Sequence, residues 1–271
     1  MDINQFGRTS KLDLTAAVKD GKTCIEDMSF TAPYKVMLPF EKKNGGLSVM
    51  LMSASAGIME GDRQEFTFDI KSGAYLEFIS QSYDKVHQMN GGCAKRVTHI
   101  KVDENGTFFY DPQPMIPFRA SAFESKMQIE LKDKTARFWL SEIFSCGRYA
   151  RGEMFEYRFY HNLVEIKREN RLIYRDNTRF EPEIFDMSGM GMYEGYTHLL
   201  NIFVTRPENA AAFLNDVRDY LSEKESIAAG ITELSDGDFA VRVLGMRAQR
   251  LEEINSNIKK LYENTGVKTI D

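Results

Sequence analysis

The segment Gly57-Ile58-Met59-Glu60-Gly61-Asp62 sets two glycines four residues apart and closes on a carboxylate, between two strand-like stretches. Glycine there permits positive φ or the close approach of another backbone. The carboxylate could cap the turn, coordinate a cation or pair with an arginine, and on residues alone the segment reads as a turn. A second group, Gly147-Arg148-Tyr149-Ala150-Arg151-Gly152-Glu153, follows Glu142, which lies on a predicted strand. Its charges read as structural ion pairs, with a bidentate oxyanion clamp by Arg148 as the chemical alternative. His87, Cys93 and His99 lie close in sequence, and imidazole with thiolate would suit nickel or zinc. Their spacing matches no familiar site, and His198 reads as structural.

Several chemistries are excluded by missing signatures. There is no G-x-x-x-x-G-K-S/T loop, so the chain is not itself a P-loop GTPase or ATPase. Neither H-E-x-x-H nor the G-x-S-x-G nucleophile elbow occurs. Ser188-Gly189-Met190-Gly191-Met192 lacks a third glycine and a βα context, and reads as a flexible loop.

The elements that must position these residues are mostly strands. Residues 48–53, 65–70 and 127–131 are short and β-rich, and the last two alternate apolar with polar. Three stretches share one layout of strand, polar turn and aromatic-rich strand. They are residues 66–78 around Lys71-Ser72-Gly73, 99–110 around Asp103-Glu104-Asn105-Gly106, and 129–140 around Lys132-Asp133-Lys134. Turns recurring about thirty residues apart suggest stacked β units rather than βαβ crossovers. The expected fold is mainly β, an elongated β-helix-like or layered-sheet body over about residues 8–205. A helix-containing part follows over about 206–271, within one domain spanning 1–271. Pro207 is expected at an early helical position, with Phe213, Leu214, Val217 and Leu221 at helical spacing. A second helix is expected over about 246–264 with Gly266 as its stop, and a strand over 239–244 lies between the two. Both helices are expected to cover an open end or face of the sheets.

Composition narrows the partners. The chain has 271 residues and a formal net charge of −5, with 42% hydrophobic and 28% charged residues. An acidic balance argues against nucleic acid as the main partner. The three cysteines are widely spaced and contain no C-x-x-C, which fits a reducing cytoplasm. No signal peptide is visible, and no apolar run approaches the ~20 residues of a membrane span. A soluble, intracellular protein with no membrane partner is therefore expected. The 14 Met and 19 Phe beside one Trp suggest partner-facing surface.

Taken together, four boxes in order resemble the urease accessory protein D family, called H in some bacteria, over about residues 11–260. Ser55-Ala56-Gly57-Ile58-Met59-Glu60-Gly61-Asp62 is similar to the family's Pro-Gly-Gly-Ile-x-x-Gly-Asp box, with Ser55 and Ala56 departing from it. Ser80 to His87, which includes Lys85, resembles its strand and loop. Asp111 to Phe118, and Cys146-Gly147-Arg148 with Gly152-Glu153, complete the set. Tyr193-Glu194-Gly195-Tyr196-Thr197-His198 resembles the H branch.

The resemblance implies a non-enzymatic assembly factor with a β-helix-like fold. It implies a complex with a helical accessory protein F and, through it, the GTPase accessory protein G, which docks on apo-urease and helps load nickel. Dimerisation within that complex is part of the same expectation. It further implies a water-filled tunnel lined by carboxylates. Asp62 is its leading residue here, while Glu142 stands where Asp is common and Asp176 where Glu is common. Nickel is expected to pass transiently, with no cofactor bound stably. Carboxylates hold Ni²⁺ more weakly than imidazole or thiolate, which suits transfer over storage. The Met- and Phe-rich segments, among them residues 187–193 with Tyr193, and the first helix with Phe213, are expected partner contacts. A carbohydrate hydrolase using Asp62 and Glu142 as acid and base is the enzymatic alternative, and a nickel store is the third reading.

Overall fold

The computed structural model describes residues 9–264. The chain opens with the hairpin β1 (Thr9–Lys19) and β2 (Lys22–Phe30), then the short strands β3 (Tyr34–Val36) and β4 (Phe40–Glu41). From there it winds. Strands β5 (Leu47–Ser53), β6 (Arg63–Ile70) and β7 (Tyr75–Ser80) lead to β8 (Asp84–Val86), β9 (Ala94–Val102) and β10 (Thr107–Asp111). The winding continues through β11 (Met115–Pro117), β12 (Ala122–Leu131), β13 (Arg137–Ser145) and β14 (Phe159–Arg168). It closes with β15 (Arg171–Phe180) and β16 (His198–Val204). The C-terminal part is α1 (Ala210–Ser222), β17 (Ala228–Glu233), β18 (Phe239–Gly245) and α2 (Ala248–Asn264).

Each turn of the winding adds one strand to each of two sheets. One sheet runs β15-β14-β12-β9-β6-β1-β2, and the other has the main path β17-β18-β16-β13-β10-β7-β5-β3. Pairing along β6, β9, β12 and β14 is parallel, as it is along β5, β7, β10 and β13. Phe66, Thr98 and Met127 are successive register partners, about thirty residues apart, so the expected stacked β units are present. The polar turns stack as well. Lys71, Asp103 and Lys132 each donate a backbone N–H to the preceding coil, at Ala16, Ile70 and Val102.

Alternation explains the core. Strands β6 and β9 bury every second residue, sending Phe66, Phe68 and Ile100 between the sheets. There Phe68 meets Phe78 edge-on at 4.9 Å and Phe78 stacks on Tyr110 at 5.3 Å. In contrast, β10 and β13 are buried on both faces, because the helices cover the outside of their sheet. Phe109, Trp139 and Ile143 pack there against Phe213, Val217, Leu251, Ile254, Ile258 and Tyr262. Strands covered on both sides read as continuous apolar runs rather than alternating ones.

Two local expectations change. Asn209, not the proline, starts the first helix, and its Oδ1 accepts from the Ala212 N–H at 3.0 Å. Pro207 therefore lies before the cap, outside the helix. The predicted stop at Gly266 lies outside the described residues.

Phe213 was expected at a partner surface, but it is 0% exposed and fills the core between α1 and the sheet. Phe213→Ala is therefore expected to cost about 3–5 kcal/mol of stability, read as a lower urea midpoint. An unchanged midpoint would mean that the ring is not in the core.

Candidate functional site

The glycine box sits where one coil passes to the next. Gly57 has φ 148°, and a β-carbon there would collide with the Lys85 carbonyl and the His87 ring. That close approach lets the Ile58 N–H bond the Lys85 carbonyl at 2.7 Å, while the His87 N–H returns to the Ile58 carbonyl at 2.9 Å. Lys85 thus serves the site through its backbone. Asp62 closes the turn, its Oδ2 accepting from the Met59 N–H at 2.8 Å. Gly61 takes φ 82° in the same turn. Sequence reasoning passed over Glu60. Its carboxylate accepts from the N–H groups of Asn90, Gly91 and Gly92, and these bonds hold it below the usual carboxylate range.

Glu142 leads inward. It lines a cavity of about 40 Å³ between the sheets, together with Asp84, Arg96, Tyr110, Tyr160, Asn162 and Asn201. Burial pushes its carboxyl up to about 7 and the nearby charge of Asp176 adds to this, while Asn162 and Arg96 oppose the rise. Asn162 Nδ2 donates to Glu142 Oε2 at 2.9 Å. The Oδ1 atoms of Asn162 and Asn201 are buried and have no hydrogen-bond partner among the described residues. These two oxygens, beside a carboxylate, suit water or a passing cation. Neither asparagine was singled out from sequence. Nothing local in either segment shows that both face one cavity.

The structure does not bring all the expected acidic residues to that cavity. Asp176 stands behind Glu142, its Oδ2 accepting from Arg242 Nη2 at 2.7 Å and its Oδ1 from the Thr178 hydroxyl at 2.7 Å. Asp62 is not among the lining residues. Among the described residues, no group of three or more His, Cys, Asp or Glu side chains is placed to hold a metal ion. His87, Cys93 and His99 therefore form no such site. The His87 ring packs on Phe118, and His99 points outward from β9. His198 is buried beside the Thr197 hydroxyl, and burial lowers its pKa to about 4.

The second box is a closed knot. Arg148 pairs with both carboxylate oxygens of Glu153 and lies 4.2 Å from the Phe118 ring centroid. Gly147 has φ 141°, and a β-carbon there would come within 2.8 Å of the Glu153 carbonyl; Gly152 ends the short helical turn with φ 78°. The guanidinium is committed internally, so the ion-pair reading holds over the oxyanion clamp. Tyr193, expected at a partner surface, is 1% exposed and packs on Phe155 and Phe180. Its loop presents Met190 instead, which is 95% exposed, with Ile184 and Phe185 nearby in sequence.

A polar cavity of this size between two sheets holds only a few water-sized occupants, far below the ~300–1,000 Å³ of organic-ligand sites. The wound two-sheet body therefore encloses a small chamber with the carboxylate of Glu142 on its wall. The profile of the family described as UreD urease accessory protein matches residues 8–268. The chain belongs to this family. It is 35% identical over 259 residues to urease accessory protein UreD of Acetivibrio thermocellus, covering 95% of this chain and 98% of that one. It is 34% identical over 269 residues to urease accessory protein UreH of Helicobacter pylori, covering 99% and 100%. UreD of Flavobacterium johnsoniae is 29% identical over 245 residues, covering 89% and 88%.

Proposed function

We propose that this urease accessory protein is a non-catalytic scaffold that hands Ni²⁺ toward apo-urease through its inter-sheet interior. In this reading it works in the cytoplasm with accessory proteins F and G, whose GTPase cycle drives insertion, and the complex is dimeric. The observation that carries it is the cavity at Glu142. One half-buried carboxylate and two amide oxygens offer hard ligands without a closed cage, so a cation can enter and leave. Three free cysteines agree with a reducing compartment, and no described helix is long and apolar enough to cross a membrane. The exposed Met190 loop is the proposed partner contact in place of Tyr193 and Phe213. The hydrolase alternative finds little support, since Asp62 holds a turn while Glu142 faces a cavity too small for a sugar.

Co-expression with urease and its accessory proteins tests the reading. The chain should be recovered with an F-type partner and apo-urease, and failure to associate with either would remove it. Glu142→Ala is expected to lower the nickel content and activity of urease while leaving that association intact. Asp62 has two possible roles, which Asp62→Asn separates because the amide oxygen still accepts from the Met59 N–H. If Asp62→Ala impairs activation and Asp62→Asn restores it, the residue acts as a turn cap. If both impair activation equally, its charge belongs to the passage.

A further inference from the structure

A second cavity of about 30 Å³ adjoins the one at Glu142, lined by Tyr34, Ser53, Ser80, Ser82 and others. The two share Asp84, Arg96, Tyr110 and Pro112. The charged pair at this junction is fixed from every side. Arg96, 8% exposed, donates from Nη2 to Asp84 Oδ2 at 2.7 Å and from Nε to Gln64 Oε1 at 2.8 Å. Its guanidinium lies between the Phe66 and Phe123 rings, at 5.1 and 5.6 Å from their centroids. A planar cation held by a carboxylate, an amide and two aromatic faces has little freedom to swing aside.

The charges around the junction are distributed unevenly. Asp84 has Arg96 as its guanidinium partner and Asp176 has Arg242. Glu142 has no ion-pair partner within reach among the described residues, and accepts only from Asn162 there. A divalent cation at Glu142 therefore finds the other carboxylate lining the chamber, Asp84, already taken by a guanidinium, in a small, low-dielectric space where charge interactions are far stronger than in water.

We propose that Arg96 is an electrostatic barrier at the junction of the two chambers, which keeps a divalent cation from being retained in the interior. This inference rests on the passage reading of the Glu142 cavity and adds its regulation. With Arg96 in place, Asp84 is neutralised and Glu142 is the one uncompensated carboxylate lining the larger chamber, so a cation stays only briefly. Without it, Asp84 and Glu142 act together with the oxygens of Asn162 and Asn201. That is an oxygen-rich, doubly negative setting of the kind that retains divalent metals.

The test is calorimetric titration of the full chain with Ni²⁺ alone. Arg96→Gln is expected to bind Ni²⁺ about tenfold or more tighter than the unaltered protein, with one saturable site. The double variant Arg96→Gln/Asp84→Asn is expected to return to weak binding, because both charges of the junction are gone. Should Arg96→Gln fail to fold, Arg96→Met replaces it, since an unbranched apolar side chain packs between the same two rings. A folded single variant that binds no tighter than the unaltered protein overturns the barrier. So does a double variant that binds as tightly as the single one, because the new site would then lie elsewhere. Urease activation measured in parallel separates this result from the passage reading. Tighter binding with unchanged activation supports the barrier and removes the passage. Unchanged binding removes the barrier, whatever activation shows.

Discussion

Replacing Asp238 with alanine is expected to destabilise the protein by roughly 3–5 kcal/mol, the usual cost of removing one partner of a buried ion pair. Asp238 is 1% exposed and lies where the turn between β17 and β18 meets the end of β14. Arg168 Nη2 donates to both of its carboxylate oxygens, at 2.9 and 3.0 Å, and the Arg206 N–H donates to Oδ1 at 3.0 Å. Arg168 is itself buried. Without Asp238 it keeps only a 3.5 Å contact to Asp236, so a charge is left in the interior with little compensation. The loss would fall on one particular joint, because this pair ties the first sheet to the strands that carry both helices. Urea unfolding reads it as a lower midpoint at unchanged slope. Arg171→Ala serves as the comparison. It removes an ion pair whose arginine is largely exposed and is expected to leave the midpoint nearly unchanged. Equal effects from the two variants would show that Arg168 reaches solvent after all.

Glu142→Gln is expected to stabilise the protein increasingly as pH rises above 4.5, with the full gain reached above about 7. Burial raises this carboxyl from 4.5 to about 7. Between those values the folded chain therefore holds a proton that the unfolded chain has lost. Stability from this group is complete below 4.5 and is lost as pH rises through about 7. At roughly 1.36 kcal/mol per pK unit the full loss approaches about 3 kcal/mol. Glutamine keeps an acceptor for Asn162 Nδ2 and carries no charge at any pH. In metal-free buffer near about pH 8 the variant should unfold at higher urea than the unaltered chain, with the two converging in acid. A gain that does not vary with pH would assign the effect to packing. His198 has the opposite sign. It is buried neutral, with its pKa lowered from 6.5 to about 4, so its contribution is present above 6.5 and is lost as pH falls toward 4. Together the two groups narrow the stable range from both sides.

Much of the architecture was legible because period-2 patterning and turn chemistry are local. The three strand-turn-strand units appear as β6–β7, β9–β10 and β12–β13, and the strand before α2 lies where its residues suggested. The Phe surplus was harder to read. Composition pointed to partner surface, but Phe66, Phe68, Phe78, Phe108, Phe138 and Phe203 fill the space between the sheets. An aromatic residue looks alike in either role until the opposing sheet is in place.

The glycines show where sequence was sufficient. Gly57 and Gly61 were identified as positions of unusual backbone, and both adopt positive φ; Gly147 and Gly152 do so too, without having been read that way. Such a demand belongs to the residue itself, as does the turn-closing carboxylate of Asp62. The acidic residues divided differently. Asp62, Glu142 and Asp176 were expected along one passage with Asp62 foremost, yet one caps a turn, one lines a cavity and one is paired with Arg242. Arg96, Asn162 and Asn201 carried no local signal at all.

By itself, then, the sequence determined the strand-forming units, the positions where only glycine serves and the family to which the chain is similar. Those follow from backbone sterics, side-chain periodicity and residue order along one stretch of chain. Only the tertiary structure decided which carboxylate faces the interior and which guanidinium stands beside it. Residues 84, 96, 142, 162 and 201 meet through the stacking of separate coils. Burial and charge at their meeting point are properties of that assembly, and no single segment encodes them.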